Sequence, residues 1–477
     1  MTFPQIIQGG MGAGVSNWRL ARAVALEGQL GVVSGIAMEV IVARRLQAGD
    51  EGGHVRRALA AFPDRAIAER IVNSYFSDSA RGRVLKKKSP RPHRLGDPDA
   101  LVQETIAATF AEVLLAKEGH DNPVGINLLT KIQLPTLAGL YGAMLAGVDY
   151  VIMGAGIPRE IPAVLDRLAT HDDVSMSVHV EGASAGDDFR VHLSPRRLVA
   201  NLPPSLSRPR FYPVVSSNVL ATTMIRKASG RVDGLVVEGP TAGGHNAPPR
   251  GPLALDAAGE PVYGPKDEVR IDRLVDLGVP FYLAGGWGVP GKLRDALGLG
   301  ATGVQVGTAF AFCRESGLMA SIKATAAMKA ARGLGKVFTD VLASPTGFPF
   351  KVLSLEGTMS ELSEYLGRPR ACNLGFLQQL FKKGNGSVGY RCPAEPERRW
   401  VAKGGDAGQL QGRKCLCNAL LANIGLASRQ PSGYVERPLV TVGNAFEQLR
   451  DLVRRYGKDY SARDVIAYLV SDPAPQG

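Results

Sequence analysis

Short runs of apolar residues recur along the first two thirds of the chain, and each run is followed by a small-residue turn and then by a helical pattern. The eight runs are PQIIQGGM (4–11), LGVVSG (30–35), PVGINLL (123–129), VDYVIMGAG (148–156), FYPVVSS (211–217), VDGLVVEG (232–239), VPFYLAGG (279–286) and ATGVQVGTAF (301–310). Nearly continuous apolar runs of this length are typical of strands buried on both faces. The pattern therefore predicts eight buried strands that alternate with helices, the first helix beginning after Ser16 as its N-cap.

Strands that alternate with single helices pair in parallel, and eight such units predict a closed (β/α)₈ barrel. An open doubly wound sheet is the alternative, but no GxGxxG sequence follows the first strand. Residues 36–121 are interpreted as a long insertion after the second strand, and residues 174–195 alternate like a two-stranded hairpin. The strand pattern stops near residue 316, so we expect a barrel over 1–320 and a mostly helical C-terminal extension over 321–477.

The composition, with 45% hydrophobic and 21% charged residues, is that of an ordinary globular protein. A formal net charge of +12 favours an anionic ligand or nucleic acid. The densest basic run, RGRVLKKKSPRPHR (81–94), lacks interleaved aromatic residues, so we interpret it as a solvated or substrate-entrance segment. The N-terminus has no signal-peptide pattern, and the apolar stretch 134–158 is interrupted by Asp149 and glycines. A cytoplasmic enzyme with a small-molecule substrate is expected, without a nucleic-acid or membrane partner; no oligomeric state is predicted.

The active site of a parallel barrel lies at the carboxyl ends of its strands. His245, one of seven histidines, follows the sixth strand in VVEGPTAGGHNAPPRG (236–251), so it is expected at the barrel mouth. The alternative is a loop histidine whose ring is hydrogen-bonded to a nearby carbonyl. Arg250 in the same loop is interpreted as facing an anionic substrate.

Glycine-rich turns at the other strand ends suggest a phosphate-containing ligand. Strands seven and eight end in LAGGWG and QVGTAF, at the usual phosphate site of this fold, so the phosphate ligands are predicted to be Gly285, Gly286, Gly307 and Thr308. At the first strand a flat ring is expected to lie over Gly9, Gly10 and Met11, with its polar edge bonded by Asn127 and Gln8. Phosphate and ring together predict flavin mononucleotide (FMN). A phosphorylated sugar or a pyridoxal cofactor would use the same cradle, but pyridoxal needs a Schiff-base lysine and no strand end offers one.

PQIIQGGMGAGVS, VGINLL, VVEGPTAGGH, LAGGWG and GVQVGTAF, in this order, resemble the nitronate monooxygenase (2-nitropropane dioxygenase-like) family of FMN-dependent barrels. The related flavin enoyl-ACP reductases share much of this pattern, and the resemblance covers about residues 4–315. It implies that FMN binds at the barrel mouth, with Gly243 and Gly244 beside it, and that His245 acts as the catalytic base on a nitroalkane or holds the nitronate. Reduced flavin would then react with O₂, and the nitronate would become a carbonyl compound and nitrite.

The chain departs from this family in the NAPPRG turn after His245, in the 36–121 insertion and in the C-terminal extension. An NAD(P)H-dependent flavin enoyl reductase of fatty-acid or polyketide type is therefore a second interpretation. A non-catalytic barrel that binds a phosphate-containing ligand is a third.

Four cysteines lie close together in the extension, at Cys372, Cys392, Cys415 and Cys417. Four thiolates predict a structural zinc or an iron–sulfur cluster. Their spacing contains no C-x₂-C pair, so four reduced, partly buried thiols are the alternative.

Overall fold

The structure is a computed structural model that describes residues 3–77 and 89–472. In chain order its strands are β1 (Ile6–Gln8), β2 (Leu30–Ser34), β3 (Val124–Leu129), β4 (Tyr150–Gly154), β5 (Val174–Ser177), β6 (Arg190–Leu193), β7 (Arg210–Val215), β8 (Leu235–Glu238), β9 (Phe281–Ala284), β10 (Gly303–Val306), β11 (Val337–Asp340), β12 (Phe350–Leu353), β13 (Gln379–Lys382) and β14 (Val388–Arg391).

The α-helices surround and cover these strands. In chain order they are α1 (Trp18–Leu26), α2 (Met38–Gln47), α3 (His54–Ala60), α4 (Arg65–Tyr75), α5 (Asp99–Lys117), α6 (Thr136–Leu145), α7 (Ile161–Ala169), α8 (Pro195–Leu198), α9 (Asn218–Lys227), α10 (Ile271–Val275), α11 (Lys292–Gly298), α12 (Thr308–Ala311), α13 (Ala320–Ala331), α14 (Leu362–Gly367), α15 (Glu397–Ala402), α16 (Leu416–Ala422), α17 (Gln448–Tyr456) and α18 (Ala462–Val470). Among the described residues no helix combines the length and apolar character needed to cross a membrane.

Eight parallel strands close into a barrel in the order β1-β10-β9-β8-β7-β4-β3-β2. The closure is visible at β1, where Ile7 is in register with Leu30 of β2 on one side and Gln305 of β10 on the other. Seven of the eight apolar runs in the sequence contain a whole barrel strand, and the fifth contains all of β7 but its first residue, Arg210. The predicted (β/α)₈ barrel is therefore confirmed, and the open sheet is excluded.

Large apolar side chains fill the interior of the barrel. Tyr150, Tyr212 and Tyr282 are buried there and pack ring against ring, together with aliphatic residues of β1, β2, β4 and β8. The hydroxyl of Tyr282 donates to the carbonyl oxygen of Pro4, 2.7 Å away, just before β1 begins. Since Pro4 lies at the amino end of the barrel, this packing closes that end.

Helix α1 begins one residue later than the sequence predicts. Its N-cap is Asn17, whose side-chain oxygen accepts a hydrogen bond of 2.9 Å from the backbone N–H of Leu20. The hydroxyl of Ser16 instead accepts from the N–H of Met11 and donates to the carbonyl of Gly9. The predicted Ser16 cap is wrong, because this hydroxyl closes the turn after β1.

The connection from β2 to β3 contains α2, α3, α4 and α5. The carboxylate of Glu112 on α5 accepts from the N–H of Trp18 and forms a buried ion pair with Arg45 on α2. These contacts attach the connection to the first βα unit. Of the basic run 81–94, residues 81–88 lie outside the described residues.

Three antiparallel strand pairs lie outside the barrel: β5 with β6, β11 with β12, and β13 with β14. The first pair is the hairpin expected within residues 174–195. The last helix, α18, contacts both α1 and α11. The end of the extension thus lies between the helices that follow β1 and β9, where the eighth outer helix of a barrel is expected.

A buried histidine joins the segment before α5 to α2. His93 has its Nδ1 atom 2.9 Å from Asp97 and its Nε2 atom 3.2 Å from Glu39. Burial lowers the pKa of this imidazole, but the hydrogen bonds and charges of Asp97 and Glu39 outweigh burial and raise the pKa to about 9. A folded-state pKa above the ordinary value means that the positive charge stabilises the fold.

We predict that the positive charge of His93 adds roughly 3 kcal/mol to the free energy of unfolding. This stabilisation is present in full below about pH 6.5 and is lost as the pH rises through about 9. Denaturant unfolding at a series of pH values measures it. His93→Gln should remove the pH dependence between these limits, whereas His192→Gln, at an exposed position, should keep it. If the free energy of unfolding of the His93→Gln protein depends on pH as steeply as that of the wild type, His93 is not the group responsible.

Candidate functional site

Two adjoining cavities lie at the mouth of the barrel. The first, here called the glycine cavity, contains about 820 Å³ of space, including space open to solvent, and lies over the ends of β1, β9 and β10. The second, the apolar cavity, contains about 1040 Å³ measured in the same way and extends towards β2 and β3. Both are lined by Gly10, Glu238, Gly243, Gly244, Gln305 and Thr441.

The four residues predicted to hold phosphate all line the glycine cavity: Gly285, Gly286, Gly307 and Thr308. Gly285 has a φ of +82°, and a Cβ atom there would lie 3.0 Å from the hydroxyl oxygen of Thr241. Such a position accepts glycine and strains other residues. The Thr308 hydroxyl accepts from the N–H of Gly443, 2.9 Å away, so its own proton is available to a ligand.

The turn after β1 forms the opposite wall of the glycine cavity through Gly9, Gly10 and Met11. A Cβ atom on Gly10 would lie 2.2 Å from the Cβ of Asn127, so the turn approaches β3 more closely than any other residue type permits. Asn127 itself lines the apolar cavity, and its side-chain amide donates to the carbonyl of Ile152 at 3.3 Å. The structure thus brings the predicted ring platform and Asn127 together.

Two residues assigned from the sequence lie elsewhere. Gln8 is fully buried between β1 and β2, where its Oε1 accepts from the N–H of Val32 and its Nε2 donates to Ser16. It lines neither cavity, so the structure does not bring its side chain to the predicted cofactor site. Arg250 is exposed and also lines neither cavity, but it lines a third, smaller one of about 340 Å³ together with Glu238.

Two glutamines present unpaired polar atoms at the glycine cavity. The Oε1 atoms of Gln305 on β10 and Gln448 on α17 are buried and have no hydrogen-bond partner among the described residues. Both side chains line the cavity. Since buried amide groups are normally bonded, these atoms are suited to a polar ligand. Gln305 was inside a recognised motif, but no local signal marked Gln448, which reaches the barrel only through the fold of the extension.

His245 lies in the wall of the apolar cavity, and its ring packs edge-on against Phe350 at a centroid distance of 4.9 Å. Its Nε2 atom is 2.7 Å from the hydroxyl oxygen of Ser344, so the partner is a hydroxyl group and not the carbonyl of the alternative interpretation. Burial, and then the nearby charge of Lys131, lower the pKa of this ring to about 3. The imidazole is therefore neutral at pH 7, and its Nδ1 atom has no hydrogen-bond partner among the described residues.

The C-terminal extension holds the loop that carries His245. The N–H of Gly244 donates to the hydroxyl of Thr441 at 2.7 Å, and the N–H of Asn246 donates to the carbonyl of Pro349 at 2.9 Å. A Cβ atom on Gly243 would lie 2.8 Å from the backbone of Val442. The two predicted glycines therefore serve close packing against the extension as well as lining both cavities.

Glu238 ends β8 between the two cavities and was not assigned a role from the sequence. Burial raises the pKa of its carboxyl group to about 8. The side chain forms no hydrogen bond or ion pair with the other described residues. At neutral pH the group is therefore mostly protonated and is able to donate a hydrogen bond to a ligand.

The four cysteines of the extension do not form a metal site. Within the part of the chain that the structure describes, no group of three or more His, Cys, Asp or Glu side chains is arranged to hold a metal ion. Burial raises the pKa of the Cys415 and Cys417 thiols, which opposes the thiolate form that a metal requires. The four cysteines nevertheless pack together in one small cluster with Ala394, and Cys417 also lines the apolar cavity. In this cluster a hydrogen bond with Cys392 lowers the pKa of Cys372. The predicted zinc or iron–sulfur site is wrong, and the buried-thiol alternative describes these residues.

Comparison with solved structures gives alignments of low identity. FabK from Thermotoga maritima is 16% identical, with a TM-score of 0.46 and coverage of 98% of this chain and 92% of that chain. A nitroalkane oxidase from Streptomyces ansochromogenes is 15% identical, with a TM-score of 0.46 and coverage of 98% and 95%. The enoyl reductase domain of MlnA, from the macrolactin biosynthesis cluster of Bacillus amyloliquefaciens, is 11% identical, with a TM-score of 0.44 and coverage of 98% and 94%. No match is found among curated proteins.

Comparison with family models gives a match over the second half of the barrel. Residues 210–338, which include β7 to β10, match the model described as nitronate monooxygenase. This segment carries His245 and the predicted phosphate ligands. Over these residues the match confirms the resemblance of the sequence motifs to the nitronate monooxygenase family. It also confirms the prediction that the chain is an oxidoreductase enzyme.

Proposed function

We propose that this protein is an FMN-dependent oxidoreductase that oxidises alkyl nitronates with O₂ to carbonyl compounds and nitrite. The observation that carries the proposal is the position of His245, a neutral histidine with an unpaired Nδ1 atom, in a cavity that adjoins a second one lined by glycines. A neutral imidazole with a free ring nitrogen has a lone pair that is able to accept a proton or a hydrogen bond from a substrate.

The glycine cavity fits FMN by the chemistry of its walls. Gly285, Gly286, Gly307 and Thr308 would hold the phosphate, and Gly9, Gly10 and Met11 would lie beside the ring. The unpaired amide oxygens of Gln305 and Gln448 are suited to N–H or hydroxyl groups of the cofactor. Bound FMN would supply two-electron chemistry and, in its reduced form, the reaction with O₂.

The residues of the chain would divide the remaining tasks. His245 would take the proton from the carbon next to the nitro group, or hydrogen-bond to the nitronate. Glu238, mostly protonated at neutral pH, would donate a hydrogen bond to an anionic group where the two cavities meet.

A second candidate is an NAD(P)H-dependent flavin enoyl reductase, and the lining of the apolar cavity favours it. The side chains of Ile36, Leu129, Ile132, Phe376, Leu377 and Leu420 line a space suited to a carbon chain. The two functions differ in their assays. Nitrite formed from propyl-2-nitronate in air supports the first, whereas bleaching of the flavin by NAD(P)H under nitrogen, without nitrite formation from nitronates, supports the second.

We predict that His245→Ala keeps its FMN but loses about 10²–10⁴-fold in turnover, because a positioned general base contributes this much. Nitrite release from 2-nitropropane, whose α-proton the base must remove, measures the turnover, and the flavin absorbance measures the cofactor. His192→Ala, at an exposed position on β6, serves as the control and should be fully active. Turnover unchanged by His245→Ala would remove this histidine from the mechanism.

Gly307→Leu should lower the amount of FMN bound, because its side chain would extend past Met11 into the glycine cavity. A Cβ atom at Gly307 would lie 3.5 Å from the sulfur of Met11, so the first carbon fits and the longer chain does not. The control is Gly298→Leu at the exposed end of α11, where nothing lies within 4 Å of the added Cβ atom. Equal FMN content in the two variants would contradict the assignment of Gly307 to the phosphate site.

A further inference from the structure

A chain of hydrogen bonds leads from His245 to a lysine on another loop. The Nε2 atom of His245 is 2.7 Å from the Ser344 hydroxyl, and this oxygen is 2.8 Å from the hydroxyl of Thr346. The Thr346 hydroxyl in turn accepts from Nζ of Lys131 at 3.2 Å. Ser344 and Thr346 belong to the extension, whereas Lys131 follows β3 in the barrel.

The chain has two self-consistent arrangements of protons, because each hydroxyl has one proton and two lone pairs. In the first, the Lys131 ammonium donates to Thr346, Thr346 donates to Ser344, and Ser344 donates to Nε2 of His245. The neutral ring then carries its proton on Nδ1. In the second, every bond is reversed: Nε2–H of His245 donates to Ser344, Ser344 to Thr346, and Thr346 to an uncharged Lys131 amine.

Both arrangements leave the other contact of Ser344 intact. The N–H of Thr346 donates to the Ser344 oxygen at 3.2 Å, which uses one lone pair in either case. The backbone carbonyl of Ser344 accepts from Arg413 at 2.7 Å and holds the residue in place. Reversal therefore needs no movement of the backbone.

We propose that Lys131, acting through the hydroxyl groups of Thr346 and Ser344, sets which ring nitrogen of His245 carries the proton. Lys131 is thus a positioning residue for His245. This inference deepens the proposed function, since it rests on His245 acting as the base. Only when the ring proton is on Nε2 does Nδ1 present a free lone pair to a substrate proton.

The surroundings of Lys131 suit this role. Its ammonium lies over the ring of Phe348 and forms no ion pair with the described residues. The other charged groups beside the chain lie next to Ser344: Arg413 donates to its carbonyl, and Asp340 accepts from the N–H of Ala343 at 3.0 Å and is paired with Lys414 at 3.1 Å. Burial alone lowers the pKa of Lys131 to about 7, so its charge changes near neutral pH.

The direction of the pH effect follows. Below about pH 7 Lys131 is charged and donates, so Nδ1 of His245 carries the proton and is not a base. Above this pH Lys131 is neutral and accepts, and Nδ1 becomes the free base. Activity that depends on His245 as a base should therefore rise as the pH increases through about 7.

The direct test is ¹⁵N NMR of the histidine rings in the purified full-length protein between pH 6 and pH 9, with the His245 signals identified by their loss in His245→Gln. In the wild type the protonated nitrogen should change from Nδ1 to Nε2 near pH 7. Lys131→Met and Thr346→Val should both abolish this change, the first by removing the charge and the second by breaking the chain. Lys131→Arg, charged at every pH tested, should hold the Nδ1–H form throughout.

Lys266→Met, at an exposed lysine, is the control and should behave as the wild type. A tautomer change that persists in folded Lys131→Met and Thr346→Val proteins would overturn the proposal, and so would a wild-type ring that keeps one tautomer from pH 6 to pH 9. The kinetic counterpart is kcat/KM with 2-nitropropane, which should rise about tenfold per pH unit below pH 7 in the wild type and lose this limb in Lys131→Met. Since the NMR readout requires no turnover, an enzyme inactive on nitronates with the expected spectra would contradict the proposed function and leave this inference standing.

Discussion

The hydrogen bonds between the loop after β8 and the C-terminal extension are the interaction on which the candidate site depends. The barrel alone brings that loop to the mouth, but a glycine-rich loop has many conformations and loses much entropy when it is fixed. Thr441 and the backbone of Pro349 bond to this loop, and Ser344 bonds to the ring of His245. The extension therefore fixes both the backbone and the side chain that the chemistry requires.

The same interaction accounts for the electrostatics of the site. By covering the mouth, the extension removes titratable groups from bulk water, and each group shifts towards its neutral form. Burial raises the pKa of Glu238 and lowers the pKa values of His245 and Lys131. The result is a cavity whose walls carry little fixed charge at neutral pH, so that hydrogen-bond direction, more than net charge, decides what each group offers to a ligand.

The barrel and its glycine turns could be predicted because their signals are local. An apolar run followed by a small-residue turn predicts a strand end, and Gly285 shows in its positive φ why glycine stands there. The direction of the Gln8 side chain could not be predicted, because a position at a strand end does not specify whether the side chain points to the cavity or between strands.

The contributions of the extension could not be predicted in this way. Ser344 and Gln448 come to the mouth through contacts between distant parts of the chain, and nothing in their immediate neighbours in sequence marks them. The cysteines show the opposite error, since proximity in sequence suggested a metal site that the geometry does not provide. Cys417 instead lines a cavity, and its role there is packing among apolar side chains.

The central claim is that the glycine cavity, closed by the extension, binds FMN. The most direct test is the absorption spectrum of the purified protein after incubation with excess FMN and removal of unbound cofactor, followed by heat release of the bound chromophore. The account predicts flavin absorption bands and the release of about one FMN per chain. A folded protein that remains colourless after this treatment would contradict it.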